Sequence, residues 1–192
     1  ESGAPLLASD PHMGHVNPNY CLLCHLKTDE GLNVIGANFP GAPGVVVGRN
    51  ETSAWGMVGL MADNQDLSFA EINWEKERAK INGQWVSLVK TEHCIKIKGQ
   101  ENAMLKTYAF EHGRLIQSGN DYGLFLRWPA LEAPLGDIVM HRTAKCRNWN
   151  EFRASLAEVY NAPMMAGYAD VHGDIGLQTV GLFPQRQLTQ GY

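Results

Sequence analysis

Cysteine is scarce in this chain. Four residues (Cys21, Cys24, Cys94 and Cys146) in 192 are too few for a disulfide-stapled scaffold at this length. Long apolar runs are missing as well: no stretch approaches the roughly 20 residues a membrane helix needs, and no segment of signal-peptide form opens the chain. Charge of one sign is concentrated nowhere. The 16 basic and 20 acidic residues give a formal charge of -4, and without a basic run there is no electrostatic footprint for nucleic acid. Internal repeats, low-complexity stretches and an interdomain linker are also absent. What is present is ordinary for a folded protein: 44% hydrophobic and 19% charged residues. The length suits a single domain over residues 1–192, burying roughly 70% of its unfolded surface.

Twenty glycines and nine prolines cut the chain into short segments, the pattern of many strands joined by turns. Apolar runs at Leu6–Ser9, Tyr20–Leu26, Val34–Ala37 and Ala54–Leu60 are strand candidates. Val45-Val46-Val47, after the turn Pro40–Gly44, reads as a buried strand, and Cys94–Lys98 alternates as a strand with one wet face. Gly83-Gln84 and Gly99-Gln100 mark hairpin or loop turns. One helix stands out. Trp149, Phe152, Leu156 and Val159 recur at helical spacing, with Asn148 or Asn150 as N-cap and Asn161-Ala162-Pro163 as the stop. Two strands then flank a turn at His172-Gly173-Asp174. The whole reads as α+β, dominated by antiparallel strands.

Candidate chemistry is sparse. Cys21-Leu22-Leu23-Cys24-His25 matches the C-x-x-C-H attachment site of c-type haem, with His25 as axial ligand. Its apolar flanks favour a core strand, on which residues i and i+3 face opposite ways and two thiols do not meet one porphyrin. Asp10, His12 and His15 are three potential metal ligands without a fourth nearby, and Asn50-Glu51-Thr52 is a glycosylation triplet. Neither a P-loop, a G-x-G-x-x-G nor a G-x-S-x-G occurs.

Several segments, taken in order, resemble the penicillin acylase family of N-terminal nucleophile hydrolases. They are Ser2–His12 (Ser-Gly-Ala-Pro-Leu-Leu-Ala-Ser-Asp-Pro-His), Gly36–Gly44, Gly48-Arg49-Asn50, Ala54-Trp55-Gly56 and Asp63–Leu67. His112-Gly113, Leu126-Arg127-Trp128, Trp149–Phe152, Tyr168-Ala169-Asp170 and Gly173–Gly176 follow in family order. The match covers essentially the whole chain. It implies an αββα sandwich of two antiparallel sheets, here incomplete because the nucleophile strand expected just before Ser2 is missing. In such enzymes a new chain begins with Ser, Cys or Thr. Its hydroxyl attacks an amide with its own α-amine as base, whose pKa near 8 leaves much of it unprotonated at neutral pH, and an acyl-enzyme forms and is hydrolysed. The implied substrates are amides with a hydrophobic acyl group: penicillins, glutaryl-cephalosporins or N-acyl-homoserine lactones.

The resemblance also assigns residues. The backbone N–H of Gly59 is one oxyanion donor; the second, an Asn in the family, falls on Met165, which cannot donate. His12 sits where many members place a histidine near the nucleophile, to orient the amine or to fill a loop. No residue of the chain is the nucleophile, since Glu1 blocks the amine of Ser2. Asp63, Asp66 and the carbonyl of Gln65 match a structural calcium site, or form an ordinary polar loop. No cofactor is required. Three functions follow as expectations: an amide hydrolase whose chain alone is inactive or degenerate, a non-catalytic small-molecule-binding module that keeps the acyl pocket, and, third, the haem protein. The resemblance further implies a role in antibiotic metabolism or acyl-homoserine lactone turnover, a companion chain or homo-oligomer, and a periplasmic or extracellular location. Neither a nucleic-acid partner nor a membrane is expected.

Overall fold

The computed structural model describes residues 3–111, 113–131, 139–160 and 163–186. Ser2, His112, Asn161 and Ala162, which figure in the motifs above, lie outside the described residues. In chain order the elements begin with β1 (Leu22–Lys27), β2 (Asn33–Asn38), β3 (Val47–Arg49), β4 (Ser53–Gly59) and β5 (Asp66–Asn73). Next come β6 (Arg78–Ile81), β7 (Gln84–Ser87), β8 (Val89–Ile95), β9 (Ala103–Phe110), β10 (Gly113–Ser118) and β11 (Tyr122–Arg127). Two short helices, α1 (Val139–Thr143) and α2 (Trp149–Leu156), precede β12 (Met164–Asp170) and β13 (Ile175–Val180). The chain divides into two compact units, residues 1–63 with 133–192 and residues 64–132.

The first unit holds a six-stranded antiparallel sheet in the order β1-β2-β3-β4-β12-β13. Alternation along β4 and β12 sorts their side chains into two sets. Trp55, Met57, Ala166 and Tyr168 turn to one face and pack with Phe152 and Leu156 of α2, Val34 and Val45. Trp149, Phe152 and Tyr168 form an aromatic triangle with centroids 4.9–5.9 Å apart. The ring of Trp149 lies so close over β13 that a Cβ on Gly176 would stand 2.5 Å from it. On the other face Gly56 and Gly167 are paired opposite each other, and the N-terminal segment runs over them. A Cβ on Gly56 would meet the Cβ of Ser9 at 2.3 Å.

The second unit is a seven-stranded antiparallel sheet, β7-β6-β5-β11-β10-β9-β8, with its own core of Ala70, Ile72, Ala79, Leu88, Phe110 and Phe125. Two antiparallel sheets with short helices are the expected α+β class.

Several local expectations hold. Asn148 caps α2, its side chain accepting from the Glu151 amide at 3.0 Å, and β12 and β13 flank the turn at His172–Asp174. Others need correction. Val45 is buried but precedes the strand, its carbonyl accepting from the Trp55 indole at 3.3 Å, and only Val47 belongs to β3. Leu6–Ser9 forms no strand. The C-x-x-C-H segment is a strand from Leu22 onward, with Cys21 just before it, but not a core strand: β1 is the sheet edge and most of it is exposed. Cys94 and Ile95 end β8 rather than opening a strand, and every residue of β8 is exposed because it too is an edge, paired only on its β9 side.

Candidate functional site

A cavity of about 610 Å³ lies in the first unit. Its walls are the loop before β1 (Pro11–His15, Asn19, Cys21), the end of β2 with Phe39, Val46 and Val47, the end of β4, and Pro163 with Met164 at the start of β12. The lining is chiefly apolar. Its polar side chains are His12, His15, Asn19, Asn38 and Cys21, and no Asp, Glu, Lys or Arg is among the described residues that line it.

The backbone of Gly59 is the feature with chemical direction. Gly59 is in register with Met164, and Val58 with Met165. The amide of Leu60 donates to the carbonyl of Pro163 (3.0 Å) and that of Val171 to Thr52 (2.9 Å). In an antiparallel pair, hydrogen-bonded and non-hydrogen-bonded positions alternate. Both bonds fall on even-numbered β4-side residues, so Gly59 sits at a non-hydrogen-bonded position. Its N–H is therefore directed away from β12, toward the side of β3. There β3 pairs with β4 at Gly48–Trp55 and Arg49–Ala54, so Gly59 runs past that ladder into the cavity wall. A Cβ at Gly59 would meet nothing within 4 Å.

The structure brings His12 and Gly59 to one cavity. The His12 ring is exposed, its Nδ1 3.9 Å from an Asp10 carboxylate oxygen. Met165 is half-buried and, by strand alternation, shares the face of Val58, while its neighbour Met164 lines the cavity. The haem-motif residues separate. Cys21 lines the cavity, Cys24 packs against the core cluster, and His25 Nε2 hydrogen-bonds to the Asn33 side chain at 2.8 Å. Asp63 accepts from Arg186 through both its carbonyl and its carboxylate, each at 3.2 Å. Gln65 is exposed and Asp66 opens β5. Among the described residues no group of three or more His, Cys, Asp or Glu gathers as a metal site, and the fit of calcium at Asp63 requires displacing a guanidinium already there.

Other motif residues turn out to be joints. The Asn50 side-chain carbonyl accepts from the amides of Thr52 (2.9 Å) and Ser53 (2.7 Å), while its Nδ2 donates to the carbonyls of Ala144 (3.1 Å) and Cys146 (2.7 Å). That carboxamide ties the β3–β4 turn to the segment after α1, so the glycosylation triplet is spent on folding. Asp170 takes the Tyr168 hydroxyl on one oxygen (2.9 Å) and the amides of His172 (2.9 Å) and Asp174 (3.0 Å) on the other. Tyr168 also meets Ser53 Oγ at 2.9 Å. Burial works to raise the Asp170 carboxyl, but the Tyr168 hydroxyl and the two amides, with the His172 imidazole nearby, outweigh it and hold it below its ordinary value. Burial first, then the Asp170 carboxylate, pushes the Tyr168 hydroxyl up to about 12 against the lowering contact from Ser53. Sequence reasoning found Asn50, Tyr168 and Asp170 only as motif letters. For Asn50 and Asp170 the signal was a polar residue beside a turn; Tyr168, inside β12, carried none.

The frame is α+β, two antiparallel sheets, with a strand-end amide and a histidine on one mostly apolar cavity of the first unit. The chain superposes on the structure of a thermostable penicillin G acylase from Alcaligenes faecalis with a TM-score of 0.79, covering 94% of this chain and 33% of that one at 24% identity. It belongs to the penicillin amidase family, whose model matches residues 1–192. It is similar to the acyl-homoserine lactone acylase QuiP of Pseudomonas fluorescens strain Pf0-1, 26% identical over 99% of this chain and 24% of that protein. Penicillin G acylase of Escherichia coli is 28% identical over 95% of this chain and 22% of its own length. The chain thus spans about a quarter of the length of these curated relatives.

Proposed function

We propose that residues 1–192 form part of an amide hydrolase that moves the acyl group of a hydrophobic acyl amide to water, with the cavity of the first unit as the acyl-amide site. The observation that carries this reading is the Gly59 amide, directed away from β12 at the wall of a mostly apolar cavity that also holds His12. A hydroxyl or thiol nucleophile from outside these residues adds to the amide carbonyl. The resulting oxyanion accepts from the Gly59 N–H, the nucleophile's proton passes through its own α-amine to the departing amine as the acyl-enzyme forms, and water then releases the acid and frees the nucleophile. His12 orients the nucleophile's amine.

Neither Met164 nor Met165 supplies a donor there, and loss of one oxyanion donor costs on the order of 3 kcal/mol, a hundredfold or more in rate. By themselves these residues hold one of the three reacting groups, and we infer that they turn over little alone. Polypeptide beyond them completes the site, and the periplasm or the cell exterior is the proposed setting. Among the described residues no helix is long and apolar enough to cross a membrane. The same two methionines favour one second reading, a binding module that retains the pocket without hydrolysing its ligand.

The test is amine release from hydrophobic N-acyl amides by the full gene product containing residues 1–192. Turnover is expected, and Met165→Asn should raise kcat about a hundredfold by restoring a side-chain donor. Tight binding without turnover, in the wild type and in Met165→Asn alike, would replace the hydrolase with the binding module.

A further inference from the structure

Gly59 is the last residue of β4, so its peptide is fixed by the strand on one side and by the loop of residues 60–63 on the other. That loop has no buried side chain: Leu60 and Ala62 are half-buried, Met61 and Asp63 exposed. Met61 has a φ of 55°, in the left-handed region that a residue with a Cβ rarely adopts. Its side chain is 95% exposed, so packing does not fix the residue there. A conformation of this kind persists where the surroundings impose it.

Contacts on either side of Met61 do so. Before it, the Leu60 amide donates to the Pro163 carbonyl at 3.0 Å and carries the β4–β12 pairing past Gly59. After it, the Arg186 guanidinium forks onto Asp63, Nη1 donating to the carbonyl and Nη2 to the carboxylate, each at 3.2 Å. Arg186 lies in the segment after β13, so the fork pins the far end of the loop to a distant stretch of the same unit. Neither Arg186 nor any of residues 60–63 lines the cavity. The fork therefore bears on the aim of the Gly59 amide and not on the acyl group.

We propose that Arg186 is a positioning residue for the proposed hydrolysis: through Asp63 it holds the 60–63 loop, and with it the Gly59 N–H, in line with the developing oxyanion. The proposal rests on the reading of that amide as the oxyanion donor. Misplacing a reacting group by about 1 Å can cost on the order of a hundredfold in rate. An interaction made in the transition state alone is lost from kcat and not from KM. The ion pair is exposed, at 35% for Arg186 and 66% for Asp63, so its removal should barely move the unfolding midpoint.

The test compares kcat, KM and urea midpoints of the full gene product on anilides of hydrophobic acids. Arg186→Met keeps a long side chain without its donors. It should lower kcat about tenfold or more, with KM within about twofold and the midpoint close to that of the wild type. Met61→Gly added to Arg186→Met should recover most of that kcat, since glycine takes the left-handed conformation without the fork. An unchanged kcat in Arg186→Met, a loss shared by KM or by the midpoint, or a loss that Met61→Gly leaves in place would each overturn the assignment. A wild type without turnover, or a Gly59→Pro variant as active as the wild type, removes the oxyanion reading and this one with it. A loss in Gly59→Pro beside an unaffected Arg186→Met removes this one alone.

Discussion

Asn50 and Asp170 each satisfy several backbone groups that the turns around them leave open. Truncation to alanine removes the partner and keeps the orphaned groups, which is the costly way to lose a hydrogen bond. Asp170→Ala should therefore lower unfolding stability by about 3 kcal/mol, measured by urea titration, since it strands two amides and leaves the buried Tyr168 hydroxyl with Ser53 alone. A loss under 1 kcal/mol would show that water reaches these groups. The same residue sets an acid limb. Its folded pKa lies below its unfolded value, so its contribution is present above the ordinary carboxylate value of about 3.9 and is lost as the pH falls through the folded value. Tyr168 works in the opposite sense. Its folded pKa is raised to about 12, so its contribution is intact below the free value of about 10 and lost as the pH rises toward 12. Urea midpoints across pH should fall at both ends, with Asp170→Asn flattening the acid limb and Tyr168→Phe the alkaline one. These residues were legible as family letters, but their work was not, because it depends on groups up to 115 positions away in sequence.

At the scale of elements, α2 was the most readable. The Asn148 cap and three of the four apolar residues at helical spacing fall in α2, while Val159, read as part of the same helix, lies beyond its end at Leu156 and still joins the core. Strand existence was also legible for β2, β4, β12 and β13. Strand burial was not: the apolar letters of β1 suggested a core strand, yet its place at the sheet edge leaves Leu23 82% exposed. Burial of a strand depends on which neighbours the topology supplies, and a period of two says nothing of that. Two glycines show the reverse case, a backbone approach that no local pattern announces. With the Trp149 ring 2.5 Å from where a Cβ would stand, Gly176→Ala must displace the indole from the aromatic triangle. A loss of about 1–3 kcal/mol and a shift in tryptophan fluorescence are expected; an unchanged melting curve and spectrum would mean that the ring relaxes without cost.

For the molecule as a whole, motif order carried more than any motif. Short matches strewn from Asp10-Pro11-His12 to Gly173–Gly176 pointed to one family, and the family model matches every residue from 1 to 192. The site was only partly legible. His12 and Gly59 could be assigned by position, but the direction of the Gly59 amide follows from β4–β12 register. The proposed hydrolase depends on that amide to receive the developing oxyanion. It is tested most directly by kcat/KM of the full gene product on a hydrophobic acyl amide with Gly59→Ala and Gly59→Pro compared. Alanine keeps the N–H and finds open space, whereas proline removes the N–H at a position β12 does not use. With unfolding midpoints of the two variants matched, Gly59→Ala should stay within a few-fold of wild type and Gly59→Pro should fall about a hundredfold or more. A proline variant as active as the alanine one would contradict the account.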